Sequence, residues 1–253
     1  GLRISSSDDV RFDENAVHHN RATTGYGRGE GAGLRASSSD NLRIIQNEIY
    51  QNLGNDNGGG IHLRACNAAL IQDNRIYDNV GATQSDGLGG GINLFGLDAP
   101  VLQNNEISGN VGTQSSSSEH VGIGGGMYLN DVDHAIVSGN VISGNVAHLY
   151  HTGTGGGLAT YQCPNVTLDR NRIMYNVATP NHATNETAGG GGVRLSTRGT
   201  GMGGTRDTYA SLTNNVIARN QAPYGGGGLI LLSLSDGSHV YATLSHNTIA
   251  DND

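Results

Sequence analysis

The chain has no tryptophan, two phenylalanines and two cysteines in 253 residues, and each of its 14 basic side chains is an arginine. With ten tyrosines as the only other aromatics, a core of large rings is excluded, and small stacked aliphatics are the natural substitute. No stretch approaches the roughly 20 consecutive apolar residues that span a bilayer, so no membrane-crossing helix is expected. Basic runs are also missing and the net charge is −8, which argues against a phosphate backbone and hence against a nucleic-acid partner. No charged-then-apolar leader opens the chain, which starts at Gly1 without Met and reads as a mature form or an excerpt of something longer.

What the sequence does have is 41 glycines and a period. Glycines preceding an aliphatic residue anchor eight units at Gly1, Gly33, Gly60, Gly91, Gly126, Gly157, Gly192 and Gly228. Fourteen residues on stand Asn15, Asn47, Asn74, Asn105, Asn140 and Asn171, and in the last two units inserts displace the equivalent residues to Asn215 and Asn247. Two residues further is an aliphatic, from Val17 to Ile249, and then a second asparagine: Asn20, Asn52, Asn79, Asn110, Asn145, Asn176, Asn220 and Asn252. Three residues before the first asparagine sits another apolar residue, from Phe12 to Leu244. Each unit therefore carries three short stretches of period-two alternation joined by turns.

Units that cannot bury an apolar face alone do so by stacking, which predicts one all-β domain over residues 1–253: a right-handed parallel β-helix of about eight coils, each of three short strands. The two asparagine columns are expected to form amide ladders and to supply the left-handed backbone of sharp bends. Glycines are expected at another tight bend or close approach. Glu48, Arg75 and Glu106 form an alternating-charge column, and Tyr50 and Tyr77 a stacked pair. Cys66 and Cys163 occupy equivalent corners three coils apart, about 14 Å at ~4.8 Å per coil, and so are expected as free thiols.

Variable linkers run from the second asparagine to the next glycine, and as they leave one corner they are expected to project from one edge of the rod. His120, His148, His151 and His182, with Tyr150, come from three consecutive linkers and are the candidate ligand-binding group, for a metal or as a general base. No cofactor is required; Asp56, Asp86 and Glu119 are acidic residues through which calcium is conceivable. Asn165 and Asn185 lie in glycosylation sequons. The outward positions of the first strand, Arg3, Arg35, His62, Asn93, Tyr128, Ala159 and Arg194, make a mixed polar face suited to glycan but without an acid pair.

"GGGI", "GGGM" and "GGGL", with "NEIYQN", "NRIYDN" and "NVISGN", resemble the repeats of bacterial right-handed β-helix surface proteins, including the polymorphic outer-membrane proteins with their Gly-Gly-Ala-Ile and Phe-x-x-Asn motifs. This chain has Gly where that family has Ala, and mostly Ile where it has Phe. The resemblance implies an extracellular or surface-displayed adhesin or structural passenger. Polysaccharide lyases and hydrolases share the fold, but the chain has no Asn-Thr-Asp, Gly-His-Gly, Arg-Ile-Lys or Asp-Pro-His-Asp signature. The reading is a non-enzymatic structural or adhesive protein, with a polysaccharide-binding or polysaccharide-degrading one as the alternative. Without polar caps at Gly1 or after "NTIADND", the coils also invite homotypic end-to-end stacking into filaments or a layer.

Overall fold

The computed structural model describes residues 1–22, 29–180, 189–198, 206–235 and 237–253, and among them there is no helix. Three eight-stranded parallel sheets wrap one axis. The first runs from Leu2–Ser5 to Leu229–Ser233, the second from Arg11–Asp13 to Val240–Ser245, and the third from Ala16–His18 to Thr248–Ala250. Parallel strands linked by crossovers take the right-handed course, giving a right-handed parallel β-helix of eight rungs joined by seven rung-to-rung steps.

Pairing follows the repeat. Ile44 pairs with Ile71, and Leu102 pairs with Ile71 and Val137; Ile49 likewise pairs with Ile76, and Ile107 with Ile76 and Ile142. These side chains are fully or almost fully buried and form one column with Leu34, Ile61, Ile92 and Leu158. Cys66 and Cys163 are buried free thiols in the same column. On the outer surface Arg75 bonds Glu48 at 2.6 Å and lies 3.5 Å from Glu106, and the Tyr50 and Tyr77 rings stack at 4.9 Å.

The asparagine columns do half of what was expected. Each inner amide is fully occupied: Asn110 Oδ1 accepts the backbone N–H and the side-chain amide of Asn79, while its own Nδ2 donates to Ile76 O and Asn145 Oδ1. The left-handed backbone, however, belongs to the residue before each asparagine. Gln46, Asp73, Asn104 and Arg170 precede the first column and Gln51, Asp78, Tyr175 and Arg219 the second, all at φ between 51° and 59°. The asparagine must point its amide inward to bond its neighbours, so the chain reverses one residue earlier. That conformation costs a non-glycine residue about 1–2 kcal/mol, which the ladder bonds offset. Glycine meets both of its expected uses: Gly89 has φ +66, and a Cβ on Gly91 would stand 2.7 Å from Gly126 O.

The linkers do not simply project. Val80–Ala82, Val111–Thr113 and Val146–His148 form one small parallel sheet, and Gly87–Leu88, Gly122–Ile123 and Gly153–Thr154 form another. The stacking register therefore continues past the second asparagine, and the chain then folds back against the outward side of the first sheet. A Cβ on Gly58 would meet that of His62 at 2.8 Å, and one on Gly155 would meet that of Ala159 at 2.6 Å. The outward positions of the first strand are consequently buried in the middle of the rod: His62, Asn93 and Tyr128 are 3%, 3% and 5% exposed.

Candidate functional site

Of the linker histidines, the structure brings three together. His148 is fully buried, and its Nδ1 accepts the backbone N–H groups of Tyr150 at 3.0 Å and His151 at 3.1 Å. The His151 ring lies edge-on to it at 5.5 Å, with Nε2 at 2.9 Å from Ser116 O, and His120 Nδ1 lies 2.8 Å from Ser115 Oγ. Burial pulls the His148 imidazole down to about 4, with His151 acting in the same direction. Nδ1, shared by two amides, pins the linker turn, while Nε2 is buried with no hydrogen-bond partner among the described residues. Tyr150 is half-exposed beside it. His182 and the Asn185 sequon lie outside the described residues.

Among the described residues Asp56, Asp86 and Glu119 form no three-ligand group with these rings, although the charge of Asp86 acts on His148. Asp86 Oδ1 accepts the Val121 N–H, and Glu119 is exposed. Among the described residues the single three-ligand group is Asp98, Asp133 and His134. It sits at the corner between the first two sheets, where His134 Nδ1 bonds Asp98 at 2.9 Å, and Asp133 also accepts the amide of Asn165. His134 is raised by that Asp98 bond and by the charge of Asp133, the mark of an exposed ion pair.

A different cleft is built on the outward column of the first sheet. Its floor is His62, Asn93 and Tyr128 from three successive rungs. One wall is the folded-back linker, through Glu30, Asn57 and Leu88; the other is Arg64 and Phe95, with the guanidinium 5.4 Å from the ring centroid. The cavity is about 170 Å³. Asn93 Nδ2 donates to Leu88 O at 3.0 Å, which fixes the amide with Oδ1 as its free acceptor.

The polar atoms here are buried and incompletely satisfied. Both ring nitrogens of His62, Asn93 Oδ1 and Asn57 Oδ1 have no hydrogen-bond partner among the described residues. Glu30 pairs with Arg35 at 2.7 Å, whereas His62 Nε2 is 3.8 Å from the same carboxylate, too far for a hydrogen bond. Burial pulls His62 down to about 4; Glu30 opposes this and Arg35 and Arg64 add to it, so the ring is neutral near pH 7. Burial also holds the Tyr128 phenol well above its ordinary range, leaving it protonated. The cleft thus presents neutral donors and acceptors together with the Arg64 guanidinium and one ion-paired carboxylate. Period-two alternation placed the floor residues on one face, but Glu30 and Asn57 sit in linkers whose course no spacing rule gives.

A family description, right handed beta helix region, matches residues 1–200. Among solved structures, the periplasmic alginate epimerase AlgG is similar over 97% of this chain and 46% of that one, at 14% identity and a TM-score of 0.59. A double mutant of the same epimerase gives 14% identity, coverage of 97% and 47%, and a TM-score of 0.60. PfbA, a surface adhesin of Streptococcus pneumoniae, is similar at 10% identity over 100% of this chain and 71% of that one, with a TM-score of 0.34, too low to argue from. No curated protein matches. The chain spans about half the length of the epimerase, and at these identities the likeness is one of fold.

Proposed function

The chain belongs to the right-handed β-helix family, and from that premise we propose that it is an extracellular or surface-displayed glycan-binding protein, adhesive in role, with its sugar site in the cleft of His62, Asn93 and Tyr128. The observation that supports this reading is the polar lining of that cleft, in which His62, Asn57 and Asn93 also carry buried atoms without a hydrogen-bond partner among the described residues. Buried polar groups are otherwise almost always paired, and each orphan costs about 1–3 kcal/mol. A ligand rich in hydroxyl groups matches this polar lining, and Phe95 and Leu88 supply an apolar flank. Glycoside hydrolysis ordinarily uses two carboxylates across the scissile bond, and Glu30, already paired with Arg35, is the single carboxylate lining this cleft among the described residues. Binding without cleavage is therefore the favoured role.

An acid–base enzyme acting on a polysaccharide is the second reading, favoured by the neutral His62 and the protonated Tyr128 on one cleft floor, two rungs apart. A glycan array followed by product analysis separates the two. Binding that His62→Ala weakens, with no change in the length or composition of the bound chains, supports the adhesive role. Turnover abolished by His62→Ala supports the enzyme, and absence of binding to any glycan refutes both. Homotypic stacking enters as a further proposal, supported by the uniform rung-to-rung register that any one rung offers to another. Sedimentation velocity across a concentration series tests it, a single monomeric species at every concentration counting against it.

A further inference from the structure

Resting on the glycan-binding reading, we infer that the protein carries a second carbohydrate surface, the open outer face of the second sheet, which takes one extended, neutral polysaccharide chain lying along the rod. The three outer faces differ in kind. Linkers lie against the first, and the third is charged at Glu48, Arg75, Glu106 and Arg172. On the second, the central outward column runs Leu70, Val101, Ile136, Thr167, Ser211 and Thr243, each paired with the next. None of these side chains is charged; Ile136 is 43% exposed, and Thr167 and Thr243 are exposed. Gln72, Gln103 and Ser138 flank the column on one side, and Tyr209 and Tyr241 on the other. Bordering charges are held in pairs, Asp169 with Arg170 at 2.8 Å and Asp98 with His134 at 2.9 Å.

Shape and polarity then select the occupant. The uncharged run is about 10 Å wide at its three-residue strands and about 24 Å long, a patch of about 250 Å² against the roughly 800 Å² that each partner gives to a stable protein interface. That area disfavours a second copy or a folded partner. A peptide strand gains no backbone bonds here, because the sheet spends its own on rung-to-rung pairing. A single sugar chain fits both dimensions. The rung spacing of ~4.8 Å is close to the advance per unit of an extended β-1,4-linked chain. Its ring faces meet Leu70, Val101 and Ile136, and its hydroxyl groups meet the glutamines and the hydroxyl side chains. Tyr209 supplies a stacking position: it is 54% exposed, with its ring 5.1 Å from that of Tyr241, which covers one face. On the other side its paired neighbour Asn165 is drawn toward Asp133 by a 2.8 Å bond. A depression of about 450 Å³ opens there, lined by Asn165, Thr167, Tyr209 and Ser211 among others.

The test is calorimetric titration with β-1,4-linked oligosaccharides of two to eight units, in glucose, mannose and mannuronate series, on the parent protein and on Tyr209→Ala, Ile136→Asp and His62→Ala. In the expected result, affinity for a neutral series climbs with length and levels off at about six units, the number of rungs in the run. Hexamer affinity falls about fivefold in Tyr209→Ala, which removes the stacking ring. It falls about tenfold in Ile136→Asp, which sets an unpaired carboxylate beneath the chain. His62→Ala keeps the dependence on length. A length dependence that survives both sheet substitutions, or is lost in His62→Ala alone, overturns the inference and leaves the glycan reading with its cleft. Affinity level from two units upward, or a preference for the mannuronate series, overturns it as well. Absence of binding throughout, with the folded spectrum intact, refutes the glycan reading itself. If one sheet variant does not fold, the other decides.

Discussion

Replacing Asn110 by Ala tests whether the amide ladders or the aliphatic column hold the rungs in register. The substitution removes four hydrogen bonds, two accepted from Asn79 at 3.0 Å and two donated, to Ile76 O at 2.8 Å and Asn145 Oδ1 at 3.0 Å. Some partners are rescued. Asn145 Oδ1 keeps the Asn110 backbone N–H at 2.9 Å, and Asn79 Nδ2 keeps Ile49 O at 2.8 Å. Two donors remain orphaned in a dry interior, the Asn79 backbone N–H and one of its amide protons. At about 1–3 kcal/mol each, the loss is about 2–6 kcal/mol. The same substitution at Asn15 removes only donations, to Asp13 O at 2.7 Å and Asn47 Oδ1 at 3.2 Å, and Asn47 Oδ1 still accepts the Asn15 N–H at 2.9 Å. That loss should be below about 1 kcal/mol. Urea denaturation followed by circular dichroism measures both. Equal losses at the two positions would refute the view that orphaned buried donors set the cost.

Three further outcomes follow from the same physics. His148 and His62 titrate near 4 when folded against 6.5 ordinarily, so unfolding takes up protons below pH 6.5 and stability falls as the pH drops toward 4, by at most about 1.4 kcal/mol per pH unit for each ring. His148→Asn, whose Oδ1 can stand in for Nδ1 as the acceptor, should flatten that slope relative to the parent; urea midpoints at pH 7 and 4.5 that move in parallel in the two proteins would contradict it. Gly91→Ala places a Cβ 2.7 Å from Gly126 O and 3.0 Å from Asn110 Nδ2, and its thermal midpoint should fall by several degrees more than that of Gly96→Ala, where nothing lies within 4 Å and only the left-handed φ of +65, about 1–2 kcal/mol, opposes the change. Burial pushes the Cys163 thiol up to about 12 and raises Cys66, so neither should react with a thiol reagent at pH 8 until guanidinium is added, when both should. Rapid labelling of the native protein would show that the column is not closed at those corners.

Much of the architecture is written along the chain. A side-chain period of two, reset by turns and repeated eight times, leaves one way to bury every aliphatic, and the pairing of Ile44, Ile71 and Leu102 follows from counting back from an asparagine. The outward column was countable too, so His62, Asn93 and Tyr128 could be placed on one face. What counting could not supply was the path of the linkers. Their lengths and composition vary, and whether they project or fold back depends on extra rung-to-rung pairing and on glycines whose missing Cβ allows contact with the sheet. That decision removed His148 from solvent and made it a pin for a turn. It also brought Glu30 and Asn57 over the floor of the cleft. The local repeat determined the rod, because each rung repeats one pattern of burial. The tertiary structure decided the site, because burial of a polar atom depends on what covers it, and the covering segments belong to no repeat.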